Sequence, residues 1–431
     1  MRLEHVSTKR ERDRAEIRAV VRRFGPLSRV DIHTLTRLRP GTISALVREL
    51  LQEGQLLEAG PSNNPMGRKQ VLLHLNEKYG FVLGIEFDAE IVVAAITDLR
   101  PKVKVVLREP IHLEGGTDGL TQQLLGCARR VIQQAGIERS SLVGIAVADP
   151  GLVDTRRGVS VGSSVIDFWK EVPLEAIFRK EFDAPFLLES NTRARTVAER
   201  LLGAGEMVED MVYVDYGTGI GAGIISQGML FRGHRESAGE LGHTHVIENG
   251  PSCKCGSFGC LEAIAGEPSL GAQARRAILE GGSSQALALA EGDPEKITGW
   301  TVLQAAKSGD KMCGALVEEL ENYLGLALAN VVNLFNPALI VLDKRLEMAG
   351  VGLLEHVARI VRRQALRHST EELVFRFGKM GDEAGAVGAA LLFLEQLFQI
   401  PVLKPPKVIV EPRVQSFRER VPAKEEAQLE G

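Results

Sequence analysis

Three of the chain's five cysteines fall within eight residues, Cys253-Lys-Cys255-Gly-Ser-Phe-Gly-Cys260, and two histidines, His243 and His245, stand just upstream. No other local pattern constrains the fold as tightly. Soft thiolates and one imidazole at these spacings match a tetrahedral Zn²⁺, and four protein ligands leave no open position for a metal-bound water, so the centre reads as structural. Gly256 and Gly259 let the backbone curl so that Cys255 and Cys260 can converge. Either histidine satisfies the fourth position, since residues 243 and 245 would share one face of a strand and spacing alone does not choose. With only Cys127 and Cys313 left over, the cysteines fit a reducing compartment better than a disulfide framework.

Charge divides the chain unevenly. Residues 1–70 hold 14 Lys and Arg against 8 Asp and Glu, whereas the remainder holds 38 against 48, so a basic module is fused to an acidic body whose sum is −4. Such a split points to a polyanion partner for the N-terminus. Ile17, Val20, Val21 and Phe24 recur at helical spacing before Gly25-Pro26, and Ser28 can cap a second helix, Arg29 to Thr36, with Val30, Ile32 and Leu35 as its core positions. A short turn leads to a third helix with Ile43, Leu46, Val47, Leu50 and Leu51 facing inward. That arrangement leaves Thr42, Ser44 and Arg48 on the outer face near its start, where a recognition helix meets base edges and phosphates. A turn-forming segment and the apolar strand Val71 to Leu75 follow, completing the outline of a winged helix whose tip carries Arg68 and Lys69 for phosphate or minor-groove contact.

From Tyr79 apolar strands and helices alternate, which argues for a layered α/β body. No apolar run reaches the roughly 18 residues that a membrane span needs, and the N-terminus is charged rather than signal-like, so the expectation is a cytosolic chain. At 431 residues several domains are expected. We place a winged helix-turn-helix at 1–76, a first lobe at 77–188 completed by about 381–400, and a second lobe with the metal cluster and a dimerisation surface at 189–380. A tail at 401–431 is expected to be flexible, and 282–300 reads as a mobile insertion.

The segment Ala238-Gly239-Glu240-Leu241-Gly242-His243, the Cys253/Cys255/Cys260 cluster with Glu262, the loop Gly217 to Gly223, and Asn336-Pro337 together resemble the ROK family of repressors and sugar kinases. The resemblance covers nearly the whole chain. It implies a two-lobed, actin-like α/β body with a sugar in its cleft, and a winged helix ahead of that body is what the family's regulators carry. By position it implies zinc held by His243, Cys253, Cys255 and Cys260, with Glu240, His243 and Glu262 meeting sugar hydroxyls. A carboxylate can accept from two vicinal hydroxyls at once, and zinc on one ring nitrogen would fix the tautomer of His243.

The kinase machinery is another matter. A family kinase needs a glycine-rich Asp-x-Gly-Gly-Thr loop, yet the matching stretch is Glu86-Phe87-Asp88-Ala89-Glu90, without glycine and with added negative charge where phosphates would lie. The catalytic Asn-Asp pair is matched by Ser190-Asn191, and neutral Asn191 cannot act as a general base, although it can still bond a ligand. Asp343-Lys344 stands where a glycine pair should border the nucleotide. The expectation is therefore a transcriptional regulator of carbohydrate-related genes, most simply a homodimeric or larger repressor that binds a double-stranded operator, senses a sugar or sugar derivative and carries no catalytic residue. A residual sugar kinase and a ligand-blind dimerisation scaffold are the alternatives.

Overall fold

The computed structural model describes residues 8–61 and 70–399. Its N-terminal head opens with α1 (Lys9–Phe24), where Thr8 and Glu11 form a reciprocal capping box. Ser28 and Asp31 repeat that device at the start of α2 (Arg29–Thr36). Arg37, at φ 60°, then turns the chain into α3 (Pro40–Gln52), which has Pro at its first position. Strands β1 (Leu27–Ser28), β2 (Leu56–Pro61) and β3 (Val71–Leu75) form an antiparallel sheet in the order β1-β3-β2, so the expected winged helix is present. Ile17, Val21, Ile32, Ile43, Leu46, Val47 and Leu50 build its core. Val30 and Leu35, expected to be buried, are 55% and 47% exposed. At 3.6 residues per turn Val30 lies nearly opposite Ile32, and Leu35 falls about 60° off the buried face. The wing tip with Arg68 and Lys69 and the stretch from Pro401 lie outside the described residues.

Two sheets of the same design form the body. In the first, β4 (Phe81–Phe87), β5 (Ile91–Asp98) and β6 (Val103–Pro110) run as an antiparallel meander. After α4 (Gly116–Gln134), β7 (Leu142–Asp149) pairs parallel to β4. A small sheet follows, β8 (Leu152–Asp154), β9 (Val159–Gly162) and β10 (Lys170–Val172), then α5 (Leu174–Phe182) and β11 (Phe186–Ser190), which pairs parallel to β7. Helix α6 (Asn191–Leu202) leads to the second sheet. There β12 (Met211–Tyr216), β13 (Ile220–Ser226) and β14 (Met229–Leu230) form the meander.

Helices α7 (Leu261–Ala265), α8 (Glu267–Leu279), α9 (Gln285–Leu289), α10 (Gly299–Lys307) and α11 (Lys311–Phe335) precede β15 (Leu339–Leu342). After α12 (Val351–Gln364) and α13 (Arg367–Thr370), β16 (Val374–Phe377) joins β12 and β15 in parallel. The orders β6-β5-β4-β7-β11 and β14-β13-β12-β15-β16 are thus equivalent, the duplicated lobe of an actin-like body. The stretch 282–300 is not the expected insertion. It forms α9 and the start of α10 with Ala286, Ala290 and Ile297 buried, and Asp310 accepts from the Gln285 amide at 2.6 Å. A five-residue helix buried through alanines is too short and too weakly apolar to show a period in sequence.

The last described helix, α14 (Ala384–Leu397), returns to the first sheet and lies against both β4 and α6. Its early residues are small because the backbones nearly touch. A Cβ on Gly84 would lie 1.9 Å from the Ala386 carbonyl oxygen, and one on Gly388 would lie 1.8 Å from that of Ala194. At its far end Phe398 meets the head, with the Arg22 guanidinium 4.8 Å from its ring centroid and Arg22 Nη1 donating to the Leu394 carbonyl at 3.4 Å. No helix among the described residues is long and apolar enough to cross a membrane.

Asp149 ends β7 fully buried, accepting from Trp169 Nε1 at 2.9 Å and from the Gly151 amide at 2.8 Å. Burial pushes its carboxyl up to about 6, against the pull of these bonds. Because the folded value exceeds the ordinary 3.8, the native state holds the proton more tightly. Its contribution to stability is complete below that ordinary value and lost as pH rises through about 6. Asp149→Asn keeps an acceptor for Trp169 and should flatten this part of the stability profile in thermal melts between about pH 4 and pH 7.

Candidate functional site

A cavity of about 660 Å³ lies between the lobes. Asn191, Glu240, His243 and Glu262 all line it, together with Asp88, Leu152 and Lys254. Local backbone chemistry puts them there. Ser190 caps α6 through its hydroxyl, which sets Asn191 at the helix start with its Oδ1 accepting from the Thr192 amide at 2.8 Å. Gly239, at φ 96°, lies where a Cβ would meet the Ala222 carbonyl oxygen at 1.8 Å, and its own carbonyl accepts from the Ala222 amide at 2.7 Å. This close approach carries Glu240 and His243 to the cleft. Glu262, in the first turn of α7, accepts from the Ile220 amide at 3.0 Å, which ties that carboxylate to the end of the glycine loop.

The cysteine cluster forms one wall. His243, Cys253, Cys255 and Cys260 each offer a ligand atom, and all four atoms lie within 4.8 Å of one another. His243 Nδ1 is 3.6 Å from Cys253 Sγ, and Cys255 Sγ is 3.7 Å from Cys260 Sγ. A tetrahedral zinc with ordinary bond lengths requires nitrogen–sulfur and sulfur–sulfur edges of about 3.6 and 3.8 Å, so the set fits that ion without rearrangement. All five cysteines are free thiols. Of the two candidate histidines, His243 joins the set. It ends a short 3-10 turn, whereas His245 pairs its backbone with Cys260. Lys254, between two thiolates, donates to the Ser164 carbonyl of the first lobe at 3.3 Å, and Thr155 donates to Glu236 at 2.6 Å, so two bonds bridge the mouth of the cleft.

Deeper in, sequence reasoning missed a charge network. Arg195 Nε lies 2.6 Å from Glu86 on β4, and its Nη1 is 3.2 Å from Asp215 on β12 and 3.7 Å from Asp343. Arg345 adds bonds to Asp215 at 3.1 Å and Asp343 at 2.6 Å and lies over the Trp300 ring at 5.4 Å. Burial alone would raise the Asp343 carboxyl, but the two guanidiniums hold it well below the usual range. Arg345 also reaches the glycine loop, where a Cβ on Gly217 would be 3.2 Å from its Nη1. A signal was present, because Glu86 and Asp215 are acids inside apolar strands and buried charge demands a partner. Asp88, in turn, accepts from the Glu90 and Ile91 amides at 2.7 and 2.8 Å, the bonds of a tight turn.

A winged helix on a duplicated, cleft-bearing α/β body with a His-Cys₃ cluster defines the class. The chain belongs to the ROK family, whose sequence profile matches residues 82–396. The xylose repressor of Caldicellulosiruptor bescii is 27% identical over 377 residues, which span 87% of this chain and 93% of the relative. The crystal structure of a ROK family transcriptional regulator, a homologue of the Escherichia coli Mlc protein, superposes with a TM-score of 0.79 at 26% identity. It covers 90% of this chain and 97% of its own. A ROK hexokinase from Thermus thermophilus superposes at 0.62 with 29% identity, covering all of its own chain and 74% of this one.

Elemental analysis of purified protein should find one divalent transition-metal ion per chain. Cys255→Ser should lose it, and hydrogen exchange across 243–262 should then accelerate, since uncompensated thiolates repel one another.

Proposed function

We propose that this chain is a sequence-specific DNA-binding repressor of carbohydrate-related genes, whose zinc-organised body senses a saccharide and performs no phosphoryl transfer. One observation carries the reading: a winged-helix head sits on a sugar-kinase-type body whose phosphate loop, base position and nucleotide border hold Asp88, Asn191 and Asp343. The names of the relatives, a xylose repressor and a transcriptional regulator, support it.

In the head, Ser44 and Arg48 are exposed on α3 and Thr42 is partly so, which suits entry of that helix into a major groove. Arg68 and Lys69, on the wing, would add phosphate contacts. In the cleft, Glu240 and Glu262 would accept from sugar hydroxyls, Asn191 would donate and accept, and His243 would be held by the metal in one tautomer. Zinc, when bound, supplies only rigidity there, since the chain's four ligands fill its coordination sphere. The base position holds a neutral amide, and Arg345 occupies the space beside Gly217 while locked to two carboxylates. Both features oppose binding of a triphosphate and activation of a sugar hydroxyl.

Response of the head to the cleft would run through α14. The Gly385 amide at its start donates to Glu86 at 3.1 Å, so α14 touches the carboxylate that Arg195 holds, and its far end grips Arg22 through Phe398. A ligand that favours one arrangement of the lobes would thereby favour one placement of two heads in a dimer.

Selection from a random DNA pool should enrich a palindrome, with affinity falling steeply as salt rises and Arg48→Ala weakening it. No enrichment, or ADP release with sugars that disappears in Asn191→Ala, would replace this reading with a kinase. In operator-binding assays, sugar should weaken the wild type but leave Phe398→Ala unresponsive; an unchanged sugar response in that variant would remove α14 from the route.

A further inference from the structure

The charges that line the cleft are already spoken for, and its two walls differ in kind. Four guanidinium or ammonium groups face it: Arg193, Arg195, Lys254 and Arg345. Arg193 is bonded to Glu189 at 2.6 Å and to the Glu236 carbonyl at 2.6 Å. Arg195 and Arg345 are shared among Glu86, Asp215 and Asp343. Lys254 alone of the four is paired with a backbone carbonyl rather than a carboxylate, and it stands at the mouth. Asp88, Asp215, Glu240 and Glu262 line the same cavity. A phosphate dianion would therefore enter a site whose inner cations are neutralised and whose remaining charge is negative, the reverse of an anion-binding nest.

The wall contributed by the first lobe is apolar. Gly151 lies where a Cβ would meet the Gly162 carbonyl oxygen at 2.1 Å, so β8 and β9 close tightly, with a bulge between the Leu152–Gly162 and Val153–Ser160 pairs. That bulge turns Val161 to the cavity beside Leu152, and Val165 lines it on the following loop. Leu152 is 52% and Val161 39% exposed, although both flank a cleft. A ligand made only of hydroxyls would satisfy Glu240, Glu262 and Asn191 but would leave this surface in contact with water or with polar atoms. The volume, about 660 Å³, is also in the range of sites that take ligands larger than one small sugar ring.

We infer that the saccharide taken by this cleft is uncharged and carries an apolar substituent, an N-acyl group or the aglycone of a glycoside, laid against Leu152, Val161 and Val165. The inference rests on the sugar-sensing reading above and names the chemical class of its effector.

Calorimetry on zinc-loaded full-length protein tests it with four sets of probes: glucose, mannose, galactose and xylose; the 6-phosphates of the hexoses; their N-acetylamino counterparts; and their phenyl glycosides. The expected result is that an N-acetyl or phenyl derivative binds at least about tenfold tighter than its parent sugar, with a more negative heat-capacity change, and that the 6-phosphates bind at least about tenfold weaker. The two substituted sets separate the acyl from the aglycone source. The double variant Leu152→Asn, Val161→Thr should reduce the preference for the derivative to below about threefold. Parents binding as well as their derivatives, 6-phosphates binding as well as free sugars, or full preference retained in the folded double variant would each overturn the inference while leaving sugar sensing intact. Silence from every probe would overturn both.

Discussion

Arg195 is the charge on which the body closes. It projects from the helix that joins the lobes, and its guanidinium is shared by a carboxylate of the first sheet, Glu86, and by Asp215 and Asp343 of the second. Removing one partner of such a buried cluster typically costs about 3–5 kcal/mol because the remaining charges are left uncompensated. The two sheets are consequently held to one geometry by an interaction that tolerates little displacement of either. The sugar-facing residues depend on that geometry, since Asn191 opens the same helix and the glycine loop continues directly from Asp215.

The metal cluster and the charge network act at opposite ends of one cleft. At the mouth, four ligands condense the loop 243–260, and Lys254 within it reaches the first lobe. In the depths, Arg345 and Asp343 stand against the glycine loop that would otherwise face a nucleotide. The outcome is a cleft that keeps the polar groups suited to hydroxyls while its phosphate end is filled by the chain's own ion pairs. A body of this kind can spend ligand-binding free energy on a change of shape instead of on a reaction.

Close backbone packing gives the shape change a route. Helix α14 has glycine and alanine where it meets β4 and α6, so neither neighbour can move far without carrying it. Such contacts behave as rigid units rather than compliant ones. The head is docked on the end of the same helix through Arg22 and Phe398, so the basic module and the acidic body are mechanically one object.

The sequence by itself determined the local features: the capped helices of the head, the strand-rich body, the cysteine cluster, and the loss of kinase glycines and base. Each is set by residues close together in the chain, where capping, period and ligand spacing act over a few positions. Spacing left His243 and His245 equivalent, and only the folded loop, with a 3-10 turn in place of a strand, decided for His243. Val30 and Leu35 read as core because a short helix offers too few positions to establish its phase. The stretch 282–300 read as mobile because its buried groups are small alanines. The network of Glu86, Arg195, Asp215, Asp343 and Arg345 spans some 260 positions and was invisible until the lobes came together. Pairing between distant charges is a property of the tertiary arrangement, and a charged residue in an apolar strand announces only that a partner is needed, not which one.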